Sequence, residues 1–167
     1  QAEFEAKLVE LTKKISVGDP TLKNNWMGPV INKNVFEDYK TFAGELRESS
    51  TILHGGDVKD ELNGYFATPL IATNVPDDHR LWKLEMFLPI VTIAGFDDFD
   101  EAMQKANDVE YGLTAGFFSE DEEEIQWFLD NIEAGVVYVN RPGGATTGAW
   151  PGYQSFGGWK GSGSTGK

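Results

Sequence analysis

Apolar residues recur in the first part of the chain at helical spacing. Phe4, Leu8, Leu11 and Ile15 fall on one face, and the turn sequence Gly18-Asp19-Pro20 must end that helix. Val35, Phe36, Tyr39, Phe42 and Leu46 form a second stripe, predicting a helix from about Lys33 to Glu48. From Thr51 the pattern shortens. Thr51 to His54 is β-prone, and Gly64 to Val75 reads as extended, with Pro69 arguing for an edge position or a bend. Pro89 to Phe96 is a continuous apolar run, as expected for a strand covered on both faces. Asp98 opens a helix with Glu101 at the capping position and Ala102 and Ala106 facing inward. Leu113 to Phe118 reads as a buried strand. Ser119 and Glu122 then form an S-x-x-E capping box before a helix that buries Ile125, Phe128, Leu129 and Ile132. Gly135 to Asn140 is one more strand. This alternation predicts an α/β fold with a largely parallel sheet and flanking helices over residues 1–140. Residues 141–167 hold nine glycines and read as a long loop.

Composition narrows the function. The chain has 167 residues, 40% of them hydrophobic, enough for a real core. A net charge of −13 with no basic patch disfavours nucleic acid and anionic membranes. The most apolar stretch, Met86 to Phe96, is far below the roughly 20 residues that span a bilayer. The charged N-terminal stretch lacks an apolar signal region, so a soluble, cytoplasmic protein is expected. It also lacks an initiator methionine and begins inside a helical pattern, as a piece of something longer would. With no cysteine there is no thiol nucleophile and no zinc–thiolate site in these residues. His54 and His79 stand apart and lack metal-ligand spacing, so both read as surface residues and no metal is expected. The acidic run Glu120 to Glu124 reads as charge placed against a helix N-terminus.

Three stretches carry candidate chemistry. Gly161 to Lys167 spells G-x-x-x-x-G-K, yet no apolar strand launches it and no Ser/Thr or helix follows in the chain, so a phosphate cradle is disfavoured. Glu85 and Phe87 lie two residues apart, and in extended backbone both would project to one side. A carboxylate can accept from two sugar hydroxyls while a ring packs on a flat heterocycle. A surface glutamate beside a core phenylalanine has the same spacing. Thr147-Gly148-Ala149 could offer backbone amides to an anion, or form an ordinary turn.

Taken in order, these stretches resemble the C-terminal part of the catalytic region of NAD(P)-dependent aldehyde dehydrogenases. The likeness runs through Val17 to Pro20, Gly28 to Ile31, Gly64-Tyr65-Phe66 with Pro69, Glu85-x-Phe87-x-Pro89, Ala106-Asn107 with Tyr111 to Thr114, Gly135 to Asn140, and Phe156 to Gly163. The resemblance implies that Glu85 binds the nicotinamide-ribose hydroxyls of NAD (or NADP) and that Phe87 packs by the nicotinamide. Thr147-Gly148-Ala149-x-x-Gly152-x-Gln154-x-Phe156 is similar to the glutamate-semialdehyde (1-pyrroline-5-carboxylate) dehydrogenase branch. Carried over, the Gly148 and Ala149 amides anchor a substrate carboxylate and Phe156 lines the aldehyde tunnel, making 141–167 a substrate-anchor segment. Leu88 stands where the family usually has glycine, which predicts an ordinary backbone conformation there. Ser155 replaces a usual proline. The family's thiolate nucleophile would lie before Gln1, its general-base glutamate further upstream, and its oligomer-building strand after Lys167. The expected whole is a homo-oligomeric enzyme acting on a small aldehyde, with this chain inactive alone. The alternative is a catalytically silent α/β fragment or binding module.

Overall fold

The computed structural model describes residues 1–142 and 157–163. Backbone proximity divides the chain into two compact units, Gln1–Gly95 and Phe96–Lys167.

In the first unit, helix α1 spans Ala2–Thr12 and α2 spans Lys33–Ser49. Asn32 caps α2, its Oδ1 accepting from the Val35 amide at 3.0 Å. The expected face of α2 is buried, with Tyr39 and Leu46 at 0% exposure. Helix α1 differs from its expectation. It stops at Thr12, leaving Ile15 outside, and it turns Glu5, Leu8, Val9 and Thr12 inward while Phe4 and Leu11 stay exposed. The reason is polar. Glu5 accepts from Thr73 Oγ1 and from Gln1 Nε2, both at 2.8 Å, fixing the rotation of the helix.

Strands β1 (Thr51–His54), β2 (Leu70–Thr73) and β3 (Ile90–Ile93) form one sheet in that order. β2 pairs antiparallel with β1 and parallel with β3. All of β2 is buried, because α2 packs beneath Leu70 and Ala72 while Thr73, on the alternate face, meets Glu5 of α1. The both-faces-covered strand is therefore this central one; β3 has Val91 about half exposed. Pro69 sits just before β2, a position that needs no ladder donor. Gly55, at φ +70, begins the turn after β1, where a Cβ would lie 1.7 Å from the Pro69 carbonyl oxygen. Arg47 holds this turn through Gly56 O at 2.7 Å and the Asp57 carboxylate at 2.8 Å.

The second unit contains α3 (Phe99–Asn107), β4 (Tyr111–Gly112), β5 (Thr114–Phe117), α4 (Glu122–Asn131), β6 (Val136–Val139) and β7 (Trp159–Lys160). β5 and β6 pair in parallel around the α4 crossover, and β4 pairs antiparallel with β7. The α/β class is as expected, with parallel pairing in two of the four ladders among the described residues. β5 alternates between exposed and half-buried positions and is not enclosed. Asp98 is the cap of α3, accepting from the Glu101 amide at 2.8 Å; Ala102 is half-buried but Ala106 is exposed. The cap of α4 is Asp121. Its carboxylate accepts from both the Glu123 and Glu124 amides, while Ser119 Oγ bonds Glu124 Oε2. A charged acceptor on two amides outcompetes the neutral hydroxyl two residues earlier. Phe128 is buried by this helix, whereas Leu129 is 44% exposed.

Candidate nicotinamide and substrate site

The segment carrying Glu85 and Phe87 is held at both ends. Before it comes a 3-10 turn, Arg80–Trp82, whose Leu81 is buried. Arg80 makes twin bonds to the Glu45 carboxylate on α2, at 3.0 and 2.6 Å, with its guanidinium 4.9 Å from the centre of the Phe42 ring. His79 caps the turn, Nδ1 accepting from the Leu81 amide at 3.3 Å, and Trp82 Nε1 donates to Pro76 O at 2.9 Å. After the segment, Pro89 O accepts from the Leu70 amide at 2.8 Å, at the entry to the sheet. Both histidines are half-buried rather than surface residues, and His79 serves the turn.

Between these anchors, Met86 and Leu88 pack against the core while Glu85 and Phe87 are exposed. Phe87 is 82% exposed, which removes the reading of a core phenylalanine beside a surface glutamate. Its backbone is left-handed, φ +52, while Leu88 is not, so the unusual conformation lies one residue before the position where the family usually has glycine. A bulky residue in that region costs on the order of 1 kcal/mol, and such outliers concentrate where a side chain must be presented. Glu85 makes no side-chain hydrogen bond or ion pair among the described residues, so both carboxylate oxygens are available as acceptors.

The glycine-rich hairpin after residue 156 has a different character. Gly158 N donates to Ser162 O, Ser162 N to Trp159 O, and Gly161 N to Glu110 O, each at 3.0 Å. Ser162 Oγ accepts from Gly112 N at 2.8 Å. The first amides of the apparent phosphate loop, those of Gly161 and Ser162, are thus committed to carbonyls, and the glycines serve close packing. A Cβ on Gly135 would sit 1.8 Å from Gly157 O, and one on Gly112 would sit 2.1 Å from Glu133 O. Gly148, Ala149 and Phe156, and Lys167 of the apparent loop, lie outside the described residues.

Residue-type reasoning did not single out three side chains that organise this unit. Asn107 ends α3, giving Nδ2 to Asn131 O and accepting from Glu133 N at Oδ1, both at 2.9 Å. Asn140, left-handed at φ +53, gives Nδ2 to Ser119 O at 2.7 Å and accepts from Ser119 N at 3.1 Å. Lys160, at φ +55, pairs with Glu133 at 2.6 Å and donates to Asn107 O. Asparagine at the end of a helix and of a strand is the available signal, since its side chain tolerates left-handed backbone and bonds locally.

Strand–helix–strand units with an outward carboxylate and ring ahead of β3 place the chain in a class that comparison makes specific. The aldehyde dehydrogenase family model matches residues 1–167, and the chain belongs to that family. It is 38% identical over 161 residues to 1-pyrroline-5-carboxylate dehydrogenase of Bacillus mycoides, covering 96% of this chain and 30% of that protein. Among solved structures, 1-pyrroline-5-carboxylate dehydrogenase from Thermus with bound NAD superposes with a TM-score of 0.83 at 32% identity, over 93% of this chain and 29% of the other. An apo betaine aldehyde dehydrogenase of Staphylococcus aureus gives 0.82 at 32% identity, over 95% and 32%. The chain therefore spans about 30% of the length of the curated relatives it matches. No helix among the described residues is long and apolar enough to cross a membrane.

Proposed function

We propose that the protein carrying this chain oxidises an aldehyde to a carboxylic acid with NAD, or NADP in its place, and that the aldehyde is glutamate semialdehyde, giving glutamate. The observation that carries the reading is the paired exposure of Glu85 and Phe87 on a segment fixed at both ends. The residues fit a nicotinamide nucleoside: an unpartnered carboxylate can accept from two ribose hydroxyls, and an exposed ring offers a flat face. When bound, the cofactor accepts hydride from the substrate carbon. In this reading Glu85 orients the ribose and Phe87 limits the wander of the ring, which matters because misplacement of about 1 Å costs up to roughly a hundredfold in rate. Support for the semialdehyde comes from the relatives' names and the Thr147-Gly148-Ala149 motif, whose Gly148 and Ala149 amides would hold the substrate carboxylate while Phe156 borders the aldehyde path. These fall within residues 141–167, the proposed substrate-anchor segment.

The chain has no cysteine, so the family's thiolate nucleophile belongs to other residues of the complete enzyme, and the chain alone is expected to be inactive. On the resemblance, the complete enzyme is a cytoplasmic homo-oligomer. The test is Glu85→Gln in the complete enzyme, assayed with glutamate semialdehyde and with an aldehyde of equal length lacking the carboxylate. The expected result is a rise of about tenfold or more in KM for NAD, from loss of charge-assisted bonds, with the carboxylate-bearing substrate preferred in wild type and variant alike. Unchanged cofactor KM and turnover would sink the Glu85 assignment; equal kcat/KM for the two aldehydes would remove the semialdehyde.

A further inference from the structure

We infer that Arg80 is a positioning residue for the nicotinamide side of the site, acting on cofactor affinity through Glu85; the inference rests on the proposed role of Glu85. The Glu85 carboxylate makes no side-chain hydrogen bond or ion pair among the described residues, so the backbone on either side sets its place. That backbone is strained. Phe87, two residues on, is left-handed at φ +52, and a bulky residue persists there only where its surroundings over-determine it. On the far side the segment is tied to the sheet by main chain: Ile90 N donates to Leu88 O and Leu70 N to Pro89 O, each at 2.8 Å.

The near side relies on side chains. The Arg80 carbonyl oxygen accepts from both Lys83 N and Leu84 N at 3.1 Å, and Leu84 is bonded directly to Glu85, so a shift of Arg80 is passed to the carboxylate. Leu81 is buried beneath the turn, but apolar contact does not fix orientation. His79 and Trp82 bond within the same loop, at Leu81 N and Pro76 O. The Arg80 guanidinium instead crosses to α2, 35 residues away in sequence, placing one nitrogen on each Glu45 oxygen and its carbon 4.9 Å from the Phe42 ring centre. A two-point bond fixes direction as well as distance. Both side chains are partly exposed, so the pair adds little to global stability. Its consequence lies in the population of molecules whose Glu85 stands ready. Without the pair the turn shifts and Phe87 relaxes, and apparent affinity falls with the fraction still in the binding arrangement.

The test measures NADH binding to the complete enzyme by fluorescence titration, for wild type, Arg80→Met, Glu85→Gln and the double variant, alongside KM for the aldehyde. Arg80→Met is expected to raise the NADH dissociation constant about three- to fivefold, near the ceiling for a partly exposed ion pair, with the aldehyde KM within about twofold. In the Glu85→Gln background the same substitution should change the constant by less than about 1.5-fold, since the arginine acts through that carboxylate. Without ligand, hydrogen exchange at the Lys83 and Leu84 amides should quicken in Arg80→Met while the amides of β2 keep their protection. Equal effects of Arg80→Met in the two backgrounds, an unchanged NADH constant, unchanged exchange at those two amides, or equal rises in NADH constant and aldehyde KM overturn the inference and leave the Glu85 assignment intact. If Glu85→Gln alone leaves NADH binding unchanged, the Glu85 assignment falls and this inference with it. Should Arg80→Met fail to fold, Glu45→Gln removes the ion pair from the α2 side: a rise in the NADH constant of about twofold or more supports the inference, and a smaller one overturns it.

Discussion

The two units are held together by different physics. In Gln1–Gly95, an apolar stripe on α2 lies against β2, and Tyr39, Leu46, Leu70 and Ile71 are all below 2% exposure. In Phe96–Lys167, Phe128, Ala134 and Val136 are the buried hydrophobic residues among those described. Their neighbours are aromatic, with Phe117 stacked on Phe128 at 4.7 Å and Trp127 edge-on to Phe99 at 5.5 Å. Directional bonds from Asn107, Asn140 and Lys160, and glycines packed backbone to backbone, do the rest. Apolar burial stabilises without specifying position finely, whereas a hydrogen bond is weak in net terms and exacting in geometry. The first unit can therefore carry Glu85 and Phe87 on one anchored segment of a solid core. The second needs a lock at each turn.

This contrast makes its largest prediction in the first unit. Leu46→Ala removes a side chain with no exposure from the middle of the core and should destabilise by about 2–5 kcal/mol, read as a fall in urea midpoint at unchanged slope. In the second unit, Asn140→Ala loses two bonds to Ser119 and leaves a Cβ-bearing residue in left-handed backbone without its local compensation. A cost of about 1–2 kcal/mol is expected, and Asn140→Gly should cost less because only the bonds are lost. If alanine and glycine cost the same, the conformation at Asn140 is not held by its side chain. If Asn140→Ala costs as much as Leu46→Ala, the division between an apolar unit and a bonded one fails.

The same contrast explains what could be read from the sequence. Helix α2 and its buried face were legible because Val35, Phe36, Tyr39, Phe42 and Leu46 agree on one face and no rival face exists. Helix α1 was misread because Phe4, Leu8 and Leu11 compete with a face built on Glu5 and Thr12, and the winner depends on Thr73, some 70 residues away. The α4 cap was misread by two residues because Ser119 and Asp121 both offer acceptors. In the second unit, periodicity cannot see an asparagine that clamps two carbonyl-rich ends, or a glycine required by a distant carbonyl. Those residues became visible only as motifs in family order, and their physical reasons came from the fold. For the site, spacing singled out Glu85 and Phe87 on the assumption of extended backbone; the structure leaves both side chains exposed but bends the chain at Phe87. The left-handed turn at Phe87 was not legible, because phenylalanine gives no signal for it.

The smallest expected effect tests whether charge contributes to the apolar unit at all. The hydrogen bonds from Arg80 hold the Glu45 carboxyl below its ordinary value of 4.5; burial opposes them, and the Arg80 charge adds to the lowering. A carboxyl whose folded value is depressed contributes stability that is fully present above the unfolded value and disappears as pH falls through the folded one. Glu45→Gln should therefore cost under about 1 kcal/mol near pH 7, since both side chains are substantially exposed, and the gap from wild type should close as pH drops below about 4.5. Thermal unfolding of both proteins from pH 7 to 3 gives the comparison. A gap that stays constant with pH would mean that Arg80 serves by stacking on Phe42 instead of by its charge. A closing gap would mean that the Arg80–Glu45 ion pair contributes to holding the turn that leads to Glu85, and that adding salt at pH 7 should shrink the same gap.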